Sequence, residues 1–241
     1  MIDTAVLLAA GLGSRLRGAT PFKPLCPVGG RTLIDRALAG LAAAGLERAV
    51  VVLGYGAEAI EAHLAAADAP LTVETVRSDP ALPNGVSALA TAPLLAGRPA
   101  LLAMCDHLVE PALYARVAAA GAGDGLRLGI DRRLGHLWVD PIDVTCVATK
   151  GDRITAIGKG IVPHDCYDTG VFAVATPLFD ALAALPAPSL TEGVRALALQ
   201  GHAHVVECSD LAWIDIDDEA ALATAEAWMA DSVPARKAAL G

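Results

Sequence analysis

Two glycines and two basic residues stand close together near the start of the chain. Gly11 and Gly13 follow an apolar run that is typical of a buried strand, and they allow the backbone to turn tightly and to approach a ligand. Successive free N–H groups in such a turn bind anions. Arg15 can bind phosphate with two hydrogen bonds, and Lys23 adds a mobile positive charge. The pattern indicates a site for a nucleoside triphosphate.

Two better-known glycine motifs do not fit this chain. The dinucleotide fingerprint G-x-G-x-x-G would need a glycine where the chain has Leu16. A P-loop needs Ser or Thr after Gly-Lys, whereas Gly158 and Lys159 are followed by Gly160. These departures disfavour an NAD-dependent oxidoreductase and a P-loop enzyme.

Carboxylates follow two further predicted strands. Asp106 ends an apolar run that begins at residue 99, and ligands of parallel α/β sheets bind at such strand ends. A hard oxygen ligand beside a triphosphate suits Mg²⁺. Asp215 and Asp217 point the same way along a strand. Asp106 is alternatively a cap for a helix starting at Pro111, and one of the later pair is alternatively a cap for the helix that follows it.

The elements that must position these residues alternate between strands and helices. Strands predicted at residues 5–9, 49–53, 71–76 and 99–106 enclose helices at 32–44 and 57–67. This alternation predicts an α/β fold with a doubly wound, mostly parallel, Rossmann-like sheet. Residues 127–174 read as short strands separated by turns, which predicts a small antiparallel β addition. Without a linker or repeat, we expect a single domain over residues 1–241.

Bulk properties narrow the class of protein. The 241 residues are 54% hydrophobic and carry a net charge of −9, which disfavours nucleic acid or an anionic membrane as the main partner. The five cysteines form no C-x-x-C pair, so a zinc site is not expected. We read neither a signal peptide nor a membrane-spanning segment, and expect a cytoplasmic protein without membrane insertion.

The run L-A-A-G-L-G-S-R-L with the later Lys-Pro-Leu resembles the signature of the sugar-nucleotide-type nucleotidyltransferases. The resemblance implies a nucleotidyltransferase-type fold in which Arg15 and Lys23 hold the triphosphate during catalysis. Met-Cys-Asp-His resembles the family's Met-Ser-Asp-His, and the Asp two residues after Trp213 is the metal partner in the family, so Asp106 and Asp215 are implied as Mg²⁺ ligands, with Asp217 as the substitute. The implied nucleotide contacts are Ala9, Ala10, Gly11, Leu12, Gly13, Ser14, Asn84, Gly85, Ser87 and Cys105.

Segments in the second half narrow the resemblance toward the CTP:inositol-1-phosphate cytidylyltransferases. They make Lys159 a candidate for the acceptor's phosphate, and Asp168 and Thr169 candidates for its hydroxyls. Thr191 or Glu192 would touch the acceptor from a helix start. The alternatives are that Lys159 is a solvated loop lysine, that Ser189 to Glu192 is only a capping box, and that residues 80–89 are a loop entering a helix capped by Ser87.

The implied reaction is CTP plus inositol 1-phosphate giving CDP-inositol and pyrophosphate. Phosphocholine and a sugar 1-phosphate are alternative acceptors, although a choline site needs an aromatic cage and the chain has three each of Trp, Tyr and Phe. An alternative of another class is a nucleotide-binding regulatory module without turnover. The product is expected to pass to a separate membrane CDP-alcohol phosphotransferase, and the sequence leaves open a homodimer.

Overall fold

The computed structural model describes the backbone of residues 2–238 and the side chains of residues 2–231. The helices are α1 Leu33–Ala43, α2 Ala57–Ala66, α3 Asn84–Leu89, α4 Ala92–Leu95, α5 Pro111–Ala120, α6 Thr176–Ala183, α7 Leu190–Gln200 and α8 Glu219–Ala238. The strands are β1 Thr4–Ala9, β2 Pro27–Val28, β3 Arg31–Thr32, β4 Arg48–Leu53, β5 Thr72–Arg77, β6 Ala100–Met104, β7 His107–Val109, β8 Leu126–Asp131, β9 Thr145–Lys150, β10 Arg153–Lys159, β11 Cys166–Val174, β12 Ala203–Glu207 and β13 Trp213–Asp215.

A mixed sheet of nine strands runs through the molecule in the order β5-β4-β1-β6-β11-β8-β12-β10-β9. The first four strands of this order are parallel, whereas β11 is antiparallel to both β6 and β8. β12 is parallel to β8, and β10 is antiparallel to both of its neighbours. The predicted α/β class is confirmed. The strands expected as an antiparallel addition continue the central sheet, and β11 lies inside it.

The sheet is buried on both faces around β1 and β6, whose residues are apolar apart from Thr4. Along β1, alternate side chains enter opposite cores: Leu7 lies in one hydrophobic cluster and Val6 in the other. The first cluster includes Ile34 of α1, and the second includes Leu178 of α6. Helices therefore cover both faces, as expected for a doubly wound sheet.

The candidate residues lie together at the carboxyl ends of neighbouring strands of the sheet. The chain leaves β1 into the glycine loop and leaves β6 into Cys105 and Asp106, and these two strands are parallel neighbours. A two-stranded ribbon of β7 and β13 then pairs Asp215 with His107 in antiparallel register. This pairing brings residues from distant parts of the chain to the same strand ends.

The structure does not show the helix caps that were the alternative roles of Asp106, of Ser87 and of one of Asp215 and Asp217. Glu110, not Asp106, occupies the N-cap position of α5. Ser87 lies inside α3, whose N-cap is Pro83. At the start of α8, the side chain of Asp218 accepts the hydrogen bond from Ala221 N. The carboxylate of Asp106 is therefore left for other contacts.

Within the described part of the chain, none of the helices combines the length and apolar character that crossing a membrane requires.

Candidate active site

Two adjoining cavities open at the strand ends. The smaller one, of about 240 Å³, is lined by the glycine loop and by Lys23. The larger one, of about 460 Å³, extends toward Lys159 on β10 and the start of α7. Arg15, Asp106 and Asp217 line both cavities. The site is therefore bipartite, with a charged wall between its two compartments.

Gly13 makes room for Lys23 in the smaller cavity. Its φ of 56° is in the left-handed region, and a Cβ atom there would lie 2.6 Å from Lys23 Cβ. A larger residue would be strained by the backbone angle and would displace the lysine stem. Lys23 is consequently held as a buried side chain, 8% exposed, against the glycine loop.

Six charged side chains form a continuous series of ion pairs, in the order Lys159, Asp143, Arg15, Asp217, Lys23 and Asp106. Arg15 Nη2 lies 2.5 Å from both Asp143 Oδ2 and Asp217 Oδ2. Lys23 Nζ lies 2.6 Å from Asp106 Oδ2 and also contacts Asp217 Oδ1. Lys159 Nζ contacts Asp143 Oδ1. The series links the cation of the larger cavity to the cations of the smaller one.

The protonation of this series follows from burial and neighbouring charge. Burial opposes the charge on Lys23, but Asp106, Asp215 and Asp217 outweigh it and hold the pKa of Lys23 above its usual value. Burial also opposes the charge on Asp106, yet Lys23 keeps the pKa of Asp106 below its usual value. Burial and the charge of Asp215 raise the pKa of Asp217 to about 6. Lys23 and Asp106 are therefore an ion pair at neutral pH.

Asp106, His107 and Asp215 form a group that could hold a cation. Each offers one ligand atom within 4.8 Å of the others. Asp215 Oδ1 is buried, and it has no hydrogen-bond partner among the residues that the structure describes. A buried polar atom without a partner is costly unless a ligand satisfies it. Because carboxylate oxygens are preferred ligands of Mg²⁺, Asp106 and Asp215 fit a divalent cation.

His107 is held in a fixed orientation beside this group. Its Nδ1 lies 3.0 Å from the carbonyl oxygen of Thr169, and its Nε2 lies 3.5 Å from Asp215 Oδ2. Burial opposes the charged imidazolium, but Asp215 and Asp106 outweigh it and raise the pKa of His107 to about 10. His107 therefore faces Asp215 as a cation.

The predicted nucleotide contacts fall into two groups. Lining the smaller cavity are Ala9, Gly11, Gly13, Ser14 and Cys105, whereas Ala10 is buried beside it and Leu12 is 45% exposed. Asn84 lines the larger cavity, and its Oδ1 accepts a hydrogen bond of 2.8 Å from Leu190 N. Gly85 and Ser87 are buried in α3, and the Ser87 hydroxyl donates a hydrogen bond to the hydroxyl oxygen of Ser78.

Of the five predicted acceptor contacts, three line a cavity and two have side chains engaged elsewhere in the protein. Lys159, Asp168 and Thr191 line the larger cavity. Burial raises the pKa of Asp168 to about 6. The Thr169 hydroxyl is instead buried and donates to Gly129 O at 2.8 Å. Glu192 accepts from Ser189 N at 2.7 Å in the expected capping box, so its carboxylate is used within α7.

Two polar side chains of the site were not predicted as site residues. Asp143 bridges Arg15 and Lys159, and His107 faces Asp215. His107 belongs to the Met-Cys-Asp-His run that resembles the nucleotidyltransferase family, and Asp143 lies in one of the second-half segments that resemble the inositol-1-phosphate enzymes. Proximity to those motifs was the available signal, because nothing in the spacing of Arg15 and Asp143, 128 residues apart, shows that they meet.

A family model described as a MobA-like NTP transferase domain matches residues 5–205. The chain is 35% identical over 222 residues to a bifunctional IPC transferase and DIPP synthase of Rubrobacter xylanophilus, an alignment that covers 88% of this chain and 49% of that protein. The protein of the same name from Aquifex aeolicus is 29% identical over 221 residues, which cover 90% and 49%. The chain thus spans about half the length of these curated relatives.

The inositol-1-phosphate CTP transferase from T. maritima is a similar solved structure. It matches with a TM-score of 0.84 and 24% identity, covering 95% of each chain. This likeness confirms the expected nucleotidyltransferase-type fold.

Proposed function

The chain belongs to the family of MobA-like NTP transferase domains, and on that premise we propose that it transfers a cytidylyl group from CTP to inositol 1-phosphate. The products would be CDP-inositol and pyrophosphate. The likeness to the T. maritima inositol-1-phosphate CTP transferase and to the bifunctional IPC transferases supports this choice of substrates.

The observation that carries the proposal is the shared wall between the two cavities. Arg15, Asp106 and Asp217 line both compartments, so a group bound in each would meet at these side chains. A transfer between two phosphates needs this arrangement, because the two anions must be brought into line against their mutual repulsion.

The smaller cavity is assigned to the triphosphate. Lys23 would neutralise charge at the α-phosphate, and Arg15 would stabilise the departing pyrophosphate. Both cations are already beside the glycine loop, although carboxylates now hold them. Binding of the nucleotide therefore requires Arg15 and Lys23 to exchange carboxylate partners for phosphate.

Asp106 and Asp215 are assigned to Mg²⁺, with Asp217 as the substitute. Their oxygen donors and the unpartnered Asp215 Oδ1 support this assignment. When bound, the ion would supply positive charge that offsets the charge of the phosphates.

The chemistry needs no general base. A phosphate oxygen of the acceptor forms a bond to the α-phosphorus, and the bond from that phosphorus to the bridging oxygen of pyrophosphate breaks. The attacking oxygen is already charged, so no proton has to be removed. The protein's contribution is to position the two phosphates and to stabilise charge.

The larger cavity is assigned to the acceptor. Lys159 would bind its phosphate, while Asp168 and Thr191 would bond its hydroxyls. Thr169 and Glu192 would support the acceptor site only indirectly. The Thr169 hydroxyl is hydrogen-bonded to Gly129 O, and the Glu192 carboxylate is hydrogen-bonded to Ser189 N. The membrane phosphotransferase and the homodimer stay predictions.

A pyrophosphate-release screen tests the proposal. CTP, UTP, ATP and GTP are each combined with inositol 1-phosphate, phosphocholine and glucose 1-phosphate, with Mg²⁺ or with excess EDTA. We expect release only with CTP, inositol 1-phosphate and Mg²⁺. Release with another acceptor would overturn the roles of Lys159 and Asp168, and no release with any pair would favour the regulatory module.

A further inference from the structure

We propose that His107 is a positioning residue that holds the Asp215 carboxylate through Oδ2 and so keeps Oδ1 available to a divalent cation. The inference rests on the proposed function, which assigns Asp215 to the metal. The register of β7 and β13 places the two residues opposite each other, and His107 Nε2 lies 3.5 Å from Asp215 Oδ2.

The imidazole ring is immobilised from several sides. Its Nδ1 faces the Thr169 carbonyl at 3.0 Å, and the Trp213 ring is stacked on it, with centroids 5.9 Å apart and planes at 26°. Gly170 closes the remaining side: a Cβ atom there would lie 2.3 Å from His107 Nδ1. The ring therefore cannot turn away from Asp215 without disturbing its surroundings.

Trp213 is itself held in place by a hydrogen bond to a buried carboxylate. Its Nε1 donates to Asp131 Oδ2 at 2.9 Å, and Asp131 is fully buried. Arg133 binds the same carboxylate, with Nε 2.9 Å from Oδ1 and Nη2 2.8 Å from Oδ2. A continuous set of contacts thus runs from Arg133 to Asp215.

The two oxygens of Asp215 have different environments as a result. Oδ2 faces His107, whereas Oδ1 is buried without a partner among the described residues. Residues that orient a metal-binding carboxylate reduce the freedom it must lose when the ion binds. His107 supplies that orientation from the protein side.

A direct metal–imidazole bond is the competing role for His107. Mg²⁺ prefers oxygen ligands. Moreover, Nδ1 is already committed to Thr169, and Nε2 faces the Asp215 carboxylate. The geometry therefore favours positioning over ligation.

Binding of Mn²⁺ alone to the full chain, measured from the EPR signal of the free ion, tests the inference. His107→Ala should weaken Mn²⁺ binding by about tenfold or more, the usual loss when an outer-shell partner is removed. His107→Gln should recover most of the affinity, because its amide can donate to Asp215 Oδ2. Trp213→Phe, which keeps a ring against His107, provides a milder variant and should give an intermediate loss.

The matched control is His63→Ala. His63 pairs with Asp35 at 3.0 Å, away from both cavities, so its loss should leave Mn²⁺ binding unchanged. Unchanged binding in folded His107→Ala, with weakened binding in Asp215→Asn, would overturn the inference alone. Unchanged binding in Asp215→Asn would overturn the metal assignment itself. A nitrogen coupling in pulsed EPR that disappears in His107→Ala would identify a ligand and so contradict the positioning role.

Discussion

At the scale of single residues, the site depends on charges kept where burial opposes them. Lys23 is 8% exposed, and it remains charged because Asp106 and Asp217 lie against its ammonium group. Because the lysine stem is buried against the glycine loop, the cation is in position before a phosphate binds, and only the partners of its ammonium group have to change. The same burial makes Lys23 sensitive to substitution.

Lys23→Met should lower turnover by about a hundredfold, the usual cost of losing a preorganised charge contact. The methionine keeps the apolar stem and removes the positive charge. Turnover is measured by pyrophosphate release, with the folded fraction checked by circular dichroism. Lys150→Met, at an exposed lysine, is the control. Undiminished turnover in Lys23→Met would remove this lysine from the mechanism.

Asp131→Asn should lower the free energy of unfolding by roughly 2 kcal/mol, because hydrogen bonds to a charged group are lost in the core. Although burial opposes its charge, Arg133 and Trp213 hold the pKa of Asp131 below its usual value. Its contribution is therefore complete above the unfolded pKa of about 4 and declines as the pH falls through the folded pKa.

Urea unfolding of wild type and Asp131→Asn at a series of pH values measures this difference. The difference in unfolding free energy between the two proteins should be constant near neutral pH and should become smaller below about pH 4. Asp68→Asn, at an exposed aspartate, should show no comparable gap. A gap that widens on acidification would contradict an ionised Asp131.

At the scale of elements, the start of α7 combines a structural task with a proposed binding task. Ser189 and Glu192 form the capping box, and Thr191 between them lines the larger cavity. The helix start is thus fixed by two residues while a third remains free to contact a ligand. Sequence reasoning identified this box but could not divide its residues between the two tasks.

Glu192→Ala should lower the free energy of unfolding, as expected for a lost cap contact. It should leave the KM for the acceptor within about twofold. Thr191→Val should do the reverse, raising KM several-fold, since a hydrogen bond contributes about 1 kcal/mol. Urea unfolding measures the effect on stability, and steady-state kinetics measure the effect on KM. A raised KM in Glu192→Ala at unchanged stability would return Glu192 to the acceptor site.

Elements with strong periodicity were predictable from the sequence, and short ones were not. The predicted strand at residues 49–53 coincides with β4 within one residue, and the helix predicted at residues 57–67 coincides with α2 within one residue. The short strands β2, β3 and β7 carry too few residues to show a pattern. β7 matters most, because its pairing with β13 brings His107 to Asp215.

At the scale of the whole molecule, β11 joins the two halves of the sheet. It pairs with β6 on one side and β8 on the other, so separation of the halves would break a central strand pair. The meeting of Arg15 with Asp143 and of Lys23 with Asp217 depends on this assembly. Sequence alone could assign chemistry to Arg15 and Lys23 but could not reveal their carboxylate partners.

Unfolding should occur in a single transition, because β11 pairs with both halves of the sheet and so couples them. Tryptophan fluorescence reports on Trp138, Trp213 and Trp228, all in the second half of the chain, whereas far-UV circular dichroism reports on every element. The two urea curves should coincide. A fluorescence transition at lower urea than the dichroism transition would contradict a single cooperative unit.

The alternating series of ion pairs also determines which anions can occupy the site. Its three cations, Arg15, Lys23 and Lys159, already hold Asp106, Asp143 and Asp217. These carboxylates are tethered, so they compete with any diffusing anion at a high effective concentration. A triphosphate is longer and carries more charge than a small ambient anion such as sulfate, so it can replace more of these contacts at once. The internal carboxylates should therefore weaken the binding of simple salts more than the binding of a triphosphate.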